Sequence, residues 1–205
     1  MTASNAVPWF LPSTHGLHFP NHFPPGPTVR LGPLDPRLIG VGDASAGLCG
    51  GMSWYVRELF QAGRPVPPDT EPPANGSPLF RAIVRRQVRS LDWLRTPLRF
   101  YRMAILGPER AARRSHDVEW PRIRARIDAG HLAMVGLVRQ TGWDPRTLTS
   151  NHQVLAYAYE MDGDAVTLRI FDPNWPGRDD VRCGLEDTGS SQSTGERLVG
   201  LFVVT

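Results

Sequence analysis

A strand-turn-strand pattern in the last third of the chain constrains the fold more than any other feature. Apolar and aromatic residues cover 154–159 and again 166–171, and the segment Met161–Asp164 between them contains an Asp-Gly turn signal. This spacing predicts two antiparallel strands joined by a tight turn.

Polar residues lie at the open end of this predicted hairpin. His152 precedes the first strand, and the second strand runs into Asp172, Pro173 and Asn174. A two-residue Asp-Gly turn would place His152 opposite Pro173, whereas a three-residue loop or a bulge would place it opposite Asn174 or Asp172. The spacing therefore predicts that His152 is a neighbour of this turn and leaves the opposing residue open.

Cys49 lies where a glycine-flanked loop enters a predicted amphipathic helix. The expected buried face of that helix has helical spacing and consists of Met52, Tyr55, Val56, Leu59 and Phe60. Gly63 is expected to end the helix. Unpaired N–H groups and the positive dipole end at a helix N-terminus stabilise a thiolate, so Cys49 is a candidate nucleophile. A cysteine nucleophile needs a base from a distant part of the chain, and His152 is the best candidate.

The remaining patterns place helices before the hairpin and strands around it. Helices are expected near 79–95 and 118–129, with an apolar stretch of undefined type at 100–106; strands are expected at 132–138, 153–160, 166–171 and 198–204. The Ser-, Gly- and Thr-rich segment 189–195 is predicted to be mobile. Helices first and an antiparallel sheet last indicate an α+β fold, with the cysteine helix packed across the sheet.

Length and composition favour one domain, since 205 residues with 40% hydrophobic content suffice for a substantial core. Residues 1–36 contain eight of the 20 prolines, interleaved with aromatic residues. We expect this N-terminal arm to be extended and to pack through its aromatics on a domain that covers 37–205.

The chain has no apolar run near 18 residues and no signal-like N-terminus. Neither a membrane span nor a secretory signal is therefore predicted, and the expected location is cytoplasmic. Pairing of Cys49 with Cys183 would consume the candidate nucleophile, so we expect free thiols.

All 23 basic residues are arginine, and residues 81–126 hold 13 of them against four acids. Apolar residues repeat at helical spacing over 80–94, which favours the solvated face of a packed helix over a nucleic-acid site. His15, His18 and His22 of the arm lack the Cys or carboxylate companions of a usual zinc site. Neither a metal nor a cofactor is predicted.

The order of Cys49, His152 and an Asp-Pro pair resembles that of the papain-like cysteine peptidases, and among them the bacterial bacteriocin-processing type. In that type a Cys-Gly pair starts the central helix, a His begins a strand, and an Asp-Pro pair ends the next strand. The resemblance covers about 45–63 and 130–177. It implies a papain-like fold with Cys49 as nucleophile, His152 as general base and then acid, and Asp172 as the orienting acid, with Asn174 as its substitute.

One position departs from the family pattern. Relatives place a Gln six residues before the cysteine, where its amide helps the cysteine N–H bind the oxyanion, and here that position is Asp43. A carboxylate would repel an oxyanion, and losing one such donor costs about 100-fold to 1000-fold in turnover. Either Ser45 or another donor substitutes, or the loop register differs, or the activity is weak or absent.

Further candidates for substrate binding flank these residues. Gly47, Gly50 and Gly51 leave room for a substrate backbone beside the cysteine. Trp175 follows the Asp-Pro turn and either lines a substrate cleft or fills the core.

The resemblance implies a bacterial thiol-dependent hydrolase, a thiol protease that cleaves a peptide or protein substrate through a Cys-His-Asp/Asn triad and a covalent acyl-enzyme. An amidase, deconjugating enzyme or acyltransferase of the same fold would use the same intermediate. A catalytically inactive papain-like interaction module is the alternative from another class, consistent with Asp43 and the arginine-rich segment. No sequence feature sets the oligomeric state.

Overall fold

An antiparallel sheet organises the structure, a computed structural model that describes residues 2–24, 44, 47–92, 95–142, 151–186 and 189–204. Its strands are β1 (Thr2–Ala6), β2 (Ala133–Val138), β3 (His152–Asp162), β4 (Ala165–Phe171), β5 (Arg182–Glu186), β6 (Gly189–Gln192), β7 (Arg197–Leu198) and β8 (Gly200–Val203). Their order is β7-β6-β5-β4-β3-β2-β8, and β1 also pairs with β3. Every pairing is antiparallel.

Strand β3 is central because it is long enough to pair with two strands along one edge. Its first half pairs with β2 and its second half with β1, while β4 occupies the other edge. Residues 152–159 are all buried. Side chains alternate between the two faces of a strand, so uninterrupted burial means that both faces of this part of β3 are covered.

The helices are α1 (Pro12–His15), α2 (Cys49–Gln61), α3 (Pro78–Ser90), α4 (Arg95–Ile105), α5 (Pro108–Arg114) and α6 (Trp120–Asp128), with a π-helical turn at Ser115–Glu119 between the last two. Helix α2 packs against both β3 and α3. Helices grouped before most strands of an antiparallel sheet make the fold α+β, and this part of the fold prediction is confirmed.

The boundaries of α2 follow the predicted signals. The helix begins at Cys49, and Gly63 follows its end with a φ of +60°. The Gly63 N–H bonds to the Phe60 carbonyl and the Arg64 N–H to the Leu59 carbonyl, which satisfies carbonyls of the last turn. Of the predicted buried face, Met52, Val56 and Leu59 are buried, whereas Tyr55 and Phe60 are partly buried against the core.

Two predicted elements are wrong in extent, and the stretch of undefined type at 100–106 is largely helical. The helix expected at 79–95 ends at Ser90, and residues 100–105 belong to the separate helix α4. Helix α3 stops where the Ser90 hydroxyl donates to the Gln87 carbonyl within its own last turn. The strand expected at 198–204 is divided into β7 and β8, and the Val199 N–H between them donates to the Val138 carbonyl.

The segment 189–195, expected to be mobile, instead contributes strand β6. Its residues form a ladder with β5, and alternate side chains, those of Ser190 and Gln192, are buried. Composition misled here because a polar strand reads like a linker when its buried positions carry hydroxyl and amide groups instead of apolar ones.

The described part of the N-terminal arm packs as part of the hydrophobic core. Phe10, Phe19 and Phe23 are buried in the same apolar cluster as the sheet, while Trp9 is 89% exposed. On β1, the Asn5 amide donates to Asp128 at 2.9 Å. The arm is therefore extended with one short helix, and it contacts elements far along the chain.

The arginine-rich helix α3 has the predicted two-sided character. Phe80, Ile83 and Val84 are buried, whereas Arg81 and Arg85 are exposed. Across the described ranges, no helix combines the length and apolar character that crossing a bilayer requires. The same residues contain no group of three or more His, Cys, Asp or Glu side chains arranged to hold a metal ion.

Candidate active site

Cys49 is the first residue of α2, and its free thiol is half-buried. Side chains hold the backbone on either side of it: Asn21 accepts from the Leu48 N–H at 2.6 Å, and Gln87 accepts from the Gly51 N–H at 2.7 Å. No acceptor among the described residues is found for the N–H of Cys49 itself. The positive end of the helix dipole therefore lies beside the sulfur.

His152 lies between Cys49 and Asp172. Its Nε2 is 2.6 Å from Asp172 Oδ1, and its ring also hydrogen-bonds to the Cys49 sulfur. With Nε2 engaged by the carboxylate, Nδ1 is the ring nitrogen on the cysteine side. The histidine side chain is 4% exposed, so the structure around the ring fixes its orientation.

Both oxygens of the buried Asp172 carboxylate are occupied. Oδ1 accepts from His152 and from the Asn174 backbone N–H at 2.8 Å, and Oδ2 accepts from Gln192 Nε2 at 2.6 Å. The residue is 1% exposed. A carboxylate with every oxygen bonded in this way is held rigidly toward the imidazole. The Asn174 side chain points elsewhere, since its Oδ1 accepts from Asn21.

The hairpin register explains how His152 and Asp172 meet. The loop consists of Gly163 and Asp164, one residue later than the Asp-Gly turn that the sequence suggested, because Asp162 pairs with Ala165. A bulge between Ala156 and Ala158 then shifts the register, and the β3–β4 ladder ends at Leu155 and Phe171. Beyond this point the chain leaves the ladder, which lets the Asp172 side chain reach His152.

The pKa values of the three groups favour a thiolate beside an imidazolium. Burial raises the pKa of Cys49, but the positive charge and hydrogen bond of His152 outweigh it and leave the pKa lowered. Burial opposes charge on His152 too, yet the charges of Asp172 and Cys49 raise its pKa to about 10. Burial raises the pKa of Asp172. The charge of His152 and the hydrogen bonds that the carboxylate accepts nevertheless hold this pKa below its usual range.

Gly50 and Gly51 do not border an open cleft, which corrects the expectation that they leave room for substrate. A Cβ on Gly50 would lie 2.8 Å from Gln153 Nε2 and closer still to Ser90 Oγ. A Cβ on Gly51 would meet the Ile83 carbonyl and lie 3.0 Å from the Gln87 nitrogen. Only glycine fits at these two positions because α3 and β3 pack directly against the first turn of α2.

Two further candidates, Asp43 and Ser45, lie outside the described residues. Trp175 is 37% exposed, and its backbone N–H donates to the Asp172 carbonyl at 2.9 Å. The guanidinium of Arg178 lies 5.3 Å from the centre of its ring. Trp175 therefore belongs to the turn that carries Asp172, with part of its indole on the surface.

Gln192 and Asn21 were missed as members of the site. Gln192 lies in the Ser-rich strand β6, where no apolar alternation marks a buried position. Asn21 offered a weak signal. Leu17, Phe19 and Phe23 are buried at every second position of the arm, and position 21 falls in the same series. That alternation could have placed Asn21 on the inward face.

A thiol of lowered pKa, a buried imidazole and a buried carboxylate in one hydrogen-bonded series suit nucleophilic attack on a carbonyl carbon. Comparisons of the chain with protein-family models, curated proteins and solved structures found no match. The chemistry of the site therefore rests on its own residues and geometry.

Proposed function

We propose that this protein is a papain-like, thiol-dependent acyl-transfer enzyme that cleaves peptide or amide bonds. The observation that carries the proposal is the series Cys49–His152–Asp172, in which the imidazole bonds to both the sulfur and the buried carboxylate. Its support in the fold is a cysteine that begins a helix, a histidine that begins a strand, and an Asp-Pro pair directly after the next strand.

In the first step the Cys49 thiolate attacks the carbonyl carbon of the scissile bond. A C–S bond forms, the carbonyl electrons move onto oxygen, and the tetrahedral intermediate collapses with loss of the amine. The His152 imidazolium gives its proton to the departing nitrogen. The product of this step is a thioester on Cys49 together with a neutral imidazole.

In the second step the neutral His152 removes a proton from water as the water oxygen attacks the thioester. The C–S bond breaks, the carboxylic acid leaves, and the thiolate and imidazolium are restored. An amidase or deconjugating enzyme would run both steps on another amide, and an acyltransferase would replace water by an amine or alcohol. The acyl-enzyme is common to all of them.

Asp172 supports both steps without exchanging a proton with substrate. Its carboxylate keeps Nε2 protonated and directs Nδ1 toward Cys49, and its negative charge stabilises the imidazolium. In the proposed mechanism the Cys49 N–H and the N-terminus of α2, which begins at this residue, stabilise the oxyanion on a carbonyl bound at the sulfur. A donor of this kind lies on the backbone and does not depend on the side chain at position 43.

The acyl-enzyme can be tested with p-nitrophenyl acetate, which needs no knowledge of the natural substrate. We expect a burst of p-nitrophenol, a mass increase of one acetyl group on the Cys49 peptide, and loss of both in Cys49→Ala. Cys183 should remain unmodified in the folded protein because it is fully buried. Absence of acetyl-Cys49 at every pH would contradict the proposal and leave a binding module, whose function would survive Cys49→Ala.

A further inference from the structure

Asn21, in the N-terminal arm, joins the two loops that carry the proposed nucleophile and acid. Its Oδ1 accepts from the Leu48 N–H at 2.6 Å, and its Nδ2 donates to Asn174 Oδ1 at 3.1 Å. Its backbone N–H also donates to the Pro173 carbonyl at 3.0 Å. One residue is thus bonded to the residue before Cys49 and to the two residues after Asp172.

These bonds close a ring around the site. From Cys49 the series runs through His152 to Asp172, whose Oδ1 accepts from the Asn174 N–H, and the Asn174 side chain accepts from Asn21. Asn21 returns the ring to Leu48, the N-cap residue of α2. Among the described residues, Asn21 is the side chain whose own hydrogen bonds join the residue before α2 to the turn that follows Asp172.

The loop before Cys49 is shaped to receive this amide. Gly47 has a φ of +89°, and a Cβ at that position would lie 2.7 Å from Asn21 Nδ2. Any side chain there would be strained and would also displace the amide. Glycine is therefore needed at position 47 to accommodate the Asn21 amide, a reason separate from the approach of substrate.

Asn21 is itself firmly held. Leu17, Phe19 and Phe23 are buried on either side of it in the arm. The Phe23 ring packs edge-on against Phe19 at 6.3 Å and against Phe80 of α3 at 5.9 Å between ring centres. The amide is therefore presented from a rigid support, as positioning groups require.

We propose that Asn21 is a positioning residue that sets the distance between Cys49 and the His152–Asp172 pair. This inference rests on the proposed function and deepens it, because it makes the N-terminal arm part of the active site. The role needs an acceptor for Leu48 and a donor for Asn174 on one short side chain. An Asp at position 21 keeps the acceptor and loses the donor, and an Ala loses both.

The test compares Asn21→Ala and Asn21→Asp with the matched control Asn5→Ala. Asn5 is also an arm residue whose amide bonds to the body of the protein, at Asp128, but it lies on β1. The readouts are the pH dependence of Cys49 alkylation by iodoacetamide, the rate of acetylation by p-nitrophenyl acetate, and the melting temperature.

We expect Asn21→Ala to slow acetylation of Cys49 about 10-fold to 100-fold, because a displacement of about 1 Å costs on that order. Its alkylation midpoint should move toward the ordinary thiol value, and Asn21→Asp should fall between Ala and wild type. The acetylation rate of Asn5→Ala should stay within about twofold of wild type, even if its melting temperature changes as much as that of the Asn21 variants. If Asn21→Ala does not fold, Asn21→Asp alone tests the inference, through the pH midpoint of Cys49 alkylation and the acetylation rate.

If the Asn21 variants change only the melting temperature and keep the wild-type alkylation profile and acetylation rate, the residue is merely structural and the inference is overturned. Failure of the proposed function is a separate outcome, visible as no low-pH reactivity of Cys49 in the wild type. In that case hydrogen exchange of the Leu48 amide decides about Asn21. Protection in wild type that is lost in Asn21→Ala supports the link, and equal exchange in both contradicts it.

Discussion

The surroundings of the two cysteines differ in one decisive respect. Cys49 and Cys183 are both free thiols, and at each of them burial and the negative charge of Asp172 favour a higher pKa. Burial within β5 raises the pKa of Cys183 strongly, with Asp172 as the next cause, and no histidine offsets them. Burial raises that of Cys49 too, but there His152 reverses the sign. The comparison shows that the imidazole is what lowers the pKa of one thiol, which in the proposed enzyme makes that thiol the nucleophile.

Removing one thiol at a time should give the largest difference between the two cysteines. Cys49→Ala should abolish acyl-enzyme formation, a loss of about a thousandfold or more, because nothing replaces the nucleophile. Cys183→Ala removes a buried sulfur from β5 and should cost about 1 kcal/mol of stability with the acylation rate unchanged. Mass spectrometry of the acetylated protein and urea unfolding check the two halves. Acylation that survives Cys49→Ala would contradict the assignment.

Replacing His152 should make Cys49 resemble Cys183 in its proton affinity. In His152→Gln the raising effects of burial and Asp172 on the Cys49 pKa are no longer opposed by a positive charge. We expect acetylation near neutral pH to fall about 100-fold or more. Stopped-flow release of p-nitrophenol measures this. A variant that keeps the wild-type rate would show that His152 is not the base.

Asp172→Asn tests the carboxylate while keeping the size of the side chain. Gln192 Oε1 has no hydrogen-bond partner among the residues that the structure describes. Rotation of the Gln192 amide would let this oxygen accept from the new Asn nitrogen, so we expect a stability loss of only about 1–3 kcal/mol. Loss of the charge should lower the pKa of His152 from about 10 toward its ordinary value, moving the high-pH loss of acylation to lower pH. A pH–rate profile of both proteins measures the shift.

The sign of the stability change with pH follows from the same shift. The pKa of His152 is raised on folding, so the imidazolium stabilises the native state fully below pH 6.5, and this contribution is lost as pH rises through about 10. Urea unfolding at intervals across this range should show wild type losing that advantage while His152→Gln does not. Parallel curves for the two proteins would mean that His152 is not charged at neutral pH.

A last expected effect is on stability alone and concerns packing beneath the site. Gly50→Ala forces a methyl group between Ser90 and Gln153 and should destabilise the fold by about 1–3 kcal/mol. Gly184→Ala is the control, since within 4 Å its Cβ would meet only Ser191 Oγ among the described residues, at 3.8 Å. Thermal unfolding of both variants measures the difference. Equal stability would argue that Gly50 faces open space, as the sequence suggested.

Local signals predicted the elements that carry the proposed triad. The glycine-flanked entry at Cys49 and the stop at Gly63 define α2, and the alternation after His152 marks β3. The partners of the triad could not be predicted in the same way. Asn21 and Gln192 reach the site through contacts across 27 and 20 residues, and their own segments carry no strong periodicity. The bulge in β3, which moves the opposing residue, also has no signal in composition.

The pH dependence of Cys49 alkylation by iodoacetamide, followed by mass spectrometry in wild type and His152→Gln, tests the central claim most directly. The account predicts rapid alkylation in wild type well below the ordinary thiol pKa of about 8.5, and loss of that low-pH reactivity in the variant. Cys183 should stay unmodified in both. Identical profiles with midpoints near 8.5 would contradict a thiolate–imidazolium pair and with it the proposed enzyme.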